Sequence, residues 1–325
     1  MAEMTMAEAI NQALRHEMRR DPEIVLLGQD IGAYGGTFGV YKGLFEEFGP
    51  DRVRDGPLCE AATAGFGIGL ALSGMLAIVE IEFIDFFTLA SDAIVNQAAK
   101  MRYFFGGQVQ VPLIVRTPIV SRLGLGAQHS QSLESWCMHI PGLRVAIPSN
   151  ARDAKGLMIA SIRDRNPTIF IENVRLYATR DEVSETDEPL PLGKLRVARA
   201  GTDVTIATYG GMVKPCLDAA EKLSGEGIDC EVLDLRTLSP LDREGICDSV
   251  KTTGRLVVAH EAVKTGGAAA EIAQTAVEGA FDYLLAPIIR VTAPDLPIPT
   301  GKLQDLVYPN SSDVEQAVRV TLTYA

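Results

Sequence analysis

The order of apolar and polar residues predicts a chain in which helices and strands alternate. Met6, Ile10, Leu14 and Met18 recur every four residues, which is the spacing of one helix face, and Thr5 precedes them as a cap. Short runs rich in Val, Ile and Leu predict strands at 24–27, 76–83, 112–116, 144–147, 168–172, 204–208, 231–235, 256–259 and 288–291. Such strands between helices are typical of parallel sheets covered on both faces, so the predicted fold class is α/β.

Further helices are predicted between these strands. They lie at 61–73, at about 86–101, after the cap residue Asn150, at about 212–223, from Gly266 and from Asp313. The chain has 325 residues, which suggests two domains. The acidic, proline-containing segment 181–191 has no apolar period and is predicted to be a linker. We therefore expect domains at 1–180 and 192–325, each built on a mainly parallel sheet flanked by helices.

One stretch allows two interpretations. Residues 61–79 contain no charged side chain over 19 positions, a length that would span a bilayer. Four glycines and the Ser73-Gly74 break favour a buried helix followed by a buried strand, and we prefer this second interpretation.

Charge and cysteine content limit the classes of function. The formal net charge is −12, which argues against nucleic acid as the main ligand, because phosphate neutralisation needs an excess of Lys and Arg. The five cysteines show no C-x-x-C spacing, which is typical of a reducing compartment rather than of a disulfide or zinc framework. Residues 1–20 lack an apolar secretory segment. We expect a cytoplasmic protein of bacterial or archaeal type, without a membrane partner.

Two polar segments are candidates for chemistry. Asp55-Gly-Pro-Leu-Cys-Glu60 places Glu60 at the start of a predicted helix, where the helix dipole also favours a carboxylate with no catalytic role. Gly126-Ala-Gln-His-Ser-Gln131 follows the predicted end of a strand, a place where α/β proteins bind ligands, but a turn with a satisfied histidine would look the same. Both alternatives stay open for each segment.

A set of ordered motifs over almost the whole chain resembles one family. The chain is similar to the beta subunits of thiamine-diphosphate-dependent 2-oxo acid dehydrogenases, the decarboxylating components of the pyruvate and branched-chain complexes. Besides 55–60, the motifs are EEFGPDRV at 46–53, GGQVQVP at 106–112, AQHSQ at 127–131, PGL at 141–143, DAKG at 153–156, DLRTL at 234–238 and HEAVKTGG at 260–267. The resemblance implies a pyrimidine-binding domain over 1–180 and a transketolase C-terminal-like domain over 192–325, with assembly contacts in the latter.

The resemblance also implies roles for individual residues. Glu60 matches the glutamate that shares a proton with the cofactor's pyrimidine ring, and His129 matches the active-site histidine that serves transfer to the lipoyl group. Phe86 matches an aromatic residue near the pyrimidine. Leu58 matches a pocket wall, although core packing would explain it equally well. Glu82 departs from the Met or Gln of many relatives and either lies beside Glu60 or points away from the cofactor.

The implied cofactors are thiamine diphosphate, shared with an alpha subunit, and Mg²⁺, held by that alpha subunit. This chain has no G-D-G…N segment for the diphosphate and its metal. The resemblance further implies a structural K⁺ near a helix end; a helix end satisfied by water is the alternative. The matching positions are Leu113, Ser161, Ile162, Asp164 and Asn166.

The implied partners are an alpha subunit in a heterotetramer of two alpha and two beta chains, a lipoyl acyltransferase core and a 2-oxo acid, with pyruvate favoured. Three rival functions remain at this point. They are an acetoin dehydrogenase beta subunit, a noncatalytic paralogue and a transketolase-like half enzyme acting on sugar phosphates.

Overall fold

A computed structural model describes residues 2–324 of the chain. The chain forms two compact units and passes from one to the other three times. The first unit contains the residues up to Val120 together with Trp136–Leu192. The second contains Ser121–Ser135 and the residues from Gly193 onward. The 15-residue segment 121–135, which we call the histidine loop because it carries His129, therefore belongs to the second unit.

The first unit is built on a parallel sheet. Its strands lie in the order β6-β7-β5-β4-β2-β3, and every pairing among them is parallel. A separate antiparallel pair joins β1 to β8. The strands are β1 Ala2–Thr5, β2 Ile24–Gly28, β3 Val53–Asp55, β4 Leu76–Glu80, β5 Leu113–Ile119, β6 Arg144–Ala146, β7 Thr168–Asn173 and β8 Arg180–Val183.

Helices pack on this sheet. The first begins at the predicted cap, where the Thr5 hydroxyl accepts a bond from the Glu8 amide and the Glu8 carboxylate accepts one from the Thr5 amide. Its apolar face packs with the helix that Asn150 caps, and both contribute to one buried core. The helices are α1 Met6–Arg20, α2 Leu44–Phe48, α3 Glu60–Leu72, α4 Phe87–Ser91, α5 Ala99–Phe104, α6 Glu134–His139 and α7 Ala151–Asp164.

The second unit repeats the same architecture. Its main sheet has the order β14-β13-β10-β11-β9, in which only β9 runs antiparallel to its neighbour. The strands are β9 Arg196–Arg199, β10 Val204–Thr208, β11 Cys230–Asp234, β12 Thr237–Ser239, β13 Leu256–Val263 and β14 Ile289–Ala293. The helices are α8 Val213–Ser224, α9 Arg243–Thr253, α10 Ala269–Ala280 and α11 Ser311–Leu322. The predicted α/β class with two mainly parallel sheets is confirmed.

Three local expectations differ from the structure. The helix expected at 86–101 is divided into a 3₁₀ turn, α4, a π-helical stretch Asp92–Ala98 and α5. The expected linker 181–191 begins inside β8, because Arg180–Val183 supplies backbone partners for β1. The strand expected over 76–83 ends at Glu80. None of the helices between Ala2 and Tyr324 is long and apolar enough to cross a bilayer, and residues 61–79 form most of α3 and β4.

The glycines of α3 provide a test of its packing. A Cβ at Gly67 would lie 2.5 Å from Cγ1 of Val79 and 3.1 Å from Cδ1 of Leu113, whereas a Cβ at Gly69 would meet nothing within 4 Å. We predict that Gly67→Ala destabilises the chain by about 1–3 kcal/mol through overpacking. The matched Gly69→Ala should stabilise it by up to about 1 kcal/mol through helix propensity. Urea unfolding of both variants measures the difference, and equal free energies of unfolding would contradict the packing described.

Candidate active site

Glu60 is the first residue of α3 and is half-buried. Among residues 2–324, no hydrogen bond or ion pair involves its carboxyl group. The cap residue Cys59 is extended and exposed, and Leu58 is 71% exposed, so core packing within this chain does not explain Leu58. An exposed apolar side chain beside an unbonded carboxyl group is an arrangement that a ligand or a second chain would complete.

Glu82 and Phe86 follow the end of β4 in the same unit. The Thr37 hydroxyl donates a hydrogen bond to the Glu82 carboxylate. Phe86 is half-buried and packs edge-on against Phe83, with the ring centroids 5.7 Å apart. Phe83 in turn meets Phe38 at 6.2 Å, so aromatic rings cover this end of the sheet.

A buried ion cluster that the sequence analysis did not identify includes Glu80, the last residue of β4. Arg116 in β5 is fully buried and pairs in register with Glu80 in β4. Its Nη1 donates to Glu80 Oε2 at 2.7 Å and its Nε to Glu172 Oε1 of β7 at 2.7 Å. The Tyr177 hydroxyl also donates to the Glu172 carboxylate, and the guanidinium group lies 4.9 Å from the centre of the Tyr41 ring. The sequence contained one signal of this cluster, which is the charged residue Arg116 inside the otherwise uncharged run 113–119.

The pKa values of this cluster show how its charges depend on each other. Burial alone would lower the pKa of Arg116, but the adjacent Glu172, Tyr41 and Glu80 raise it well above its usual value. Burial raises the pKa of Glu80, although Arg116 opposes the shift. Removing the arginine would leave two buried carboxylates without their cation, which typically costs about 3–5 kcal/mol.

His129 lies in the second unit, whereas Glu60, Leu58, Glu82 and Phe86 lie in the first. It is half-buried, and its amide donates to the Gly126 carbonyl at 3.2 Å in a turn. Gly126 has φ +84°, and a Cβ there would lie 2.6 Å from Cγ2 of Thr300. The second unit thus holds one of the two residues predicted to be catalytic, in addition to any assembly surface.

A second group that the sequence did not reveal lies at the end of the histidine loop. Glu134 is buried, and its Oε1 accepts a bond from the Tyr209 hydroxyl at 2.8 Å, while its Oε2 has no hydrogen-bond partner among the described residues. The Tyr209 ring stacks on buried His260, with centroids 5.9 Å apart. Burial raises the pKa of Glu134 to about 7, and burial lowers the pKa of His260 to about 4.

The five positions matched to a potassium site lie at one end of the first sheet. Leu113 opens β5, Ser161, Ile162 and Asp164 occupy the last turn of α7, and Asn166 precedes β7, which pairs with β5 from Ile114↔Thr168 onward. Carbonyl oxygens at a helix C-terminus carry partial negative charge and suit a hard cation. The Asp164 carboxylate already accepts bonds from Asn166 at 2.8 Å and from Arg144 at 3.3 Å. The structure describes no cluster of three or more His, Cys, Asp or Glu side chains that would bind a metal ion.

Comparison with known proteins identifies the class to which these two units belong. A model of the transketolase pyrimidine binding domain matches residues 2–179, and a model of the transketolase C-terminal domain matches residues 193–314. A solved structure described as a split gene transketolase, inactive beta4 tetramer, superposes with a TM-score of 0.82 over 99% of both chains at 24% identity. The class is therefore a two-domain, transketolase-like α/β protein.

Three curated relatives define the family more narrowly than the two domain models do. The beta subunit of the pyruvate dehydrogenase E1 component of Rickettsia conorii is 44% identical over 99% of both chains. That of Bacillus subtilis is 42% identical over 100% of both. The mitochondrial beta-1 subunit of Oryza sativa is 42% identical over 98% of this chain and 86% of its own length. The chain belongs to the family of 2-oxo acid dehydrogenase beta subunits, as the motifs predicted.

The raised pKa of Glu134 predicts how stability depends on pH. Because the carboxyl group ionises at lower pH in the unfolded chain, raising the pH from about 4.5 to about 7 removes stability, and the loss levels off above that. Glu134→Gln cannot ionise and keeps an acceptor for Tyr209. Its free energy of unfolding, relative to the parent, should therefore increase between pH 5 and pH 8, by an amount on the order of 3 kcal/mol.

Denaturant unfolding at both pH values measures this change. Glu221→Gln, at an exposed position of α8, is the matched control and should show no such trend. A difference between Glu134→Gln and the parent that is the same at pH 5 and pH 8 would contradict the assignment.

Proposed function

We propose that this chain, together with an alpha subunit, catalyses the thiamine-diphosphate-dependent oxidative decarboxylation of pyruvate and the reductive acylation of a lipoyl domain. The observation that carries the proposal is the full-length similarity to pyruvate dehydrogenase E1 beta subunits. Glu60 and His129 lie in two segments, 55–60 and 127–131, that resemble motifs of this family.

The residues around Glu60 fit an aminopyrimidine ring. The carboxyl group is unbonded within residues 2–324, it lies at the start of α3, and half-buried Phe86 offers an aromatic face in the same unit. Leu58 supplies an exposed apolar wall. We assign Glu82, whose carboxylate accepts a bond from Thr37, to the same pocket as a second carboxylate. When bound, thiamine diphosphate supplies a carbon nucleophile and an electron sink.

Glu60 exchanges a proton with a ring nitrogen of the aminopyrimidine, which requires a carboxyl group rather than an amide. His129 orients the substrate and supplies a proton when the acyl group passes to the lipoyl dithiolane. Both steps need side chains that can accept a proton and return it.

A partner chain would cover the apolar side chains that the first unit leaves exposed. Tyr103 is 85% exposed, Phe104 68% and Leu89 60%, and Phe66 on α3 is half-exposed. Exposed apolar groups of this size are typical of protein interfaces. We assign the partner as the alpha subunit of a heterotetramer, which also supplies the diphosphate and Mg²⁺ contacts.

Two further ligands belong to the proposal. A structural K⁺ would bind to oxygen atoms of Leu113, Ser161, Ile162, Asp164 and Asn166, and a lipoyl acyltransferase core would dock on the second domain. The acidic net charge of −12 would steer a basic docking domain of that core. We also assign the chain to the reducing compartment of the cytoplasm, which its cysteine spacing predicts.

The proposal is tested with the chain co-expressed with its alpha subunit. We expect decarboxylation of pyruvate that depends on thiamine diphosphate and Mg²⁺, and a loss of about 10²–10⁴-fold in Glu60→Gln without unfolding. Glu46→Gln, an exposed carboxylate in the first turn of α2, is the matched control and should retain the parent rate. Turnover of acetoin or branched-chain 2-oxo acids in place of pyruvate would reassign the substrate, and an active Glu60→Gln would remove Glu60 from the mechanism.

The role of His129 is tested by separating the two half-reactions. His129→Ala should slow reductive acylation of a lipoyl domain at least as much as decarboxylation measured with an artificial electron acceptor, because protonation of the opening dithiolane is the assigned step. His139→Ala, at an exposed histidine of α6, serves as the control. Reductive acylation at the parent rate in His129→Ala would exclude the role.

A further inference from the structure

The histidine loop is attached to the second unit by a series of contacts near its start. The Ser121 hydroxyl donates to the Glu261 carboxylate, with 3.1 Å to each oxygen. The Arg122 guanidinium group bonds to the Pro309 carbonyl and lies 5.1 Å from the centre of the Tyr308 ring. Arg122 itself has φ +60°, a conformation that costs energy for a residue with a side chain. These contacts hold the chain in that conformation.

The middle of the loop lies against the segment around Thr300. The Gly124 amide donates to Gln304 Oε1 at 3.0 Å, and the Gly301 amide donates to the Gly124 carbonyl at 3.1 Å. Leu125 forms an isolated antiparallel bridge with Thr300. The path of the chain through Gly124 and Leu125 is therefore fixed by contacts with residues 300–304.

Beyond His129 the histidine loop lies beside a cavity. Ser130 and Gln131 line a cavity of about 520 Å³ whose other walls include Ala262, Val263 and Ile298. Both side chains therefore have open space on one side, although Ser130 is 1% exposed. The Ser130 hydroxyl has no hydrogen-bond partner among the described residues.

One buried hydrogen bond connects this part of the loop to Tyr308. The Tyr308 hydroxyl donates to the Ser130 carbonyl at 2.8 Å. Tyr308 is 2% exposed, and its ring is held by Arg122, which belongs to the start of the same loop. The carbonyl that accepts this bond belongs to Ser130, the residue that follows His129 directly.

We propose that Tyr308 is a positioning residue for His129, acting through the Ser130 carbonyl, and this proposal rests on the function proposed above for His129. Tyr308 contacts the loop and has no part in the proton transfer. Its hydroxyl restrains the carbonyl of Ser130, one residue beyond His129, and thereby the direction in which the imidazole points toward a lipoyl acceptor. Pre-positioning of a proton donor is a recognised source of rate enhancement.

Tyr308→Phe in the complex with the alpha subunit tests the proposal, because it removes the hydroxyl and keeps the ring that Arg122 covers. We expect reductive acylation to slow by about three- to tenfold, as for the loss of one buried hydrogen bond, with decarboxylation changed less. On the His129→Ala background the same substitution should have no further effect on acylation. Tyr283→Phe, at an exposed tyrosine of the second unit, should match the parent in every assay.

Amide hydrogen exchange provides a readout that does not depend on turnover. In Tyr308→Phe the peptide covering 126–133 should exchange faster than in the parent or in Tyr283→Phe, while the other peptides of the second unit keep their rates. Unchanged exchange overturns the proposal, and so does faster exchange with acylation at the parent rate. If the peptide covering 126–133 exchanges faster in Tyr308→Phe than in the parent, but the parent complex turns over no 2-oxo acid, the proposed function is refuted instead.

Discussion

A positive charge placed inside an apolar sheet is the constraint on which the first unit depends. Arg116 is fully buried between β4 and β7, and two carboxylates from those strands bond to it. A buried guanidinium group is tolerated only when its charge and its donors are matched, so the three strands have to keep their mutual register. The apolar core elsewhere in the unit would accept many substitutions of similar volume, whereas this cluster would not.

This constraint extends to the segment that carries the candidate site. Glu80 is the last residue of β4, and the Ile81 amide still bonds to the Arg116 carbonyl at 2.9 Å. Glu82 and Phe86 follow within six residues of the end of β4. Side chains that bind a cofactor need a rigid support, and the ion cluster supplies one at the carboxyl edge of the sheet, where α/β proteins usually bind ligands.

The elements that could be predicted from the sequence are those set by local rules. The four-residue apolar spacing gave α1, the caps Thr5 and Asn150 marked two helix starts, and Val204–Thr208 was predicted at its observed bounds. β8 escaped prediction because its partner β1 lies some 180 positions away, and an acidic strand at an edge has no apolar period. The assignment of 121–135 to the second unit was not predicted either, because its partners near Glu261 and Thr300 are also distant in the sequence.

The candidate site was predicted only where the motif and the local position agreed. Glu60 as a helix-start carboxylate follows from both, and the structure places it there. The burial of Arg116, the Glu134–Tyr209 pair and the bond of Tyr308 to the histidine loop depend on contacts between distant segments, which neither periodicity nor resemblance describes. A family motif specifies the side chain that reacts, whereas the groups that orient it vary with the local packing. A motif that contains a histidine therefore defines only part of a candidate site, and the contacts of the loop that carries this histidine become visible only in the structure.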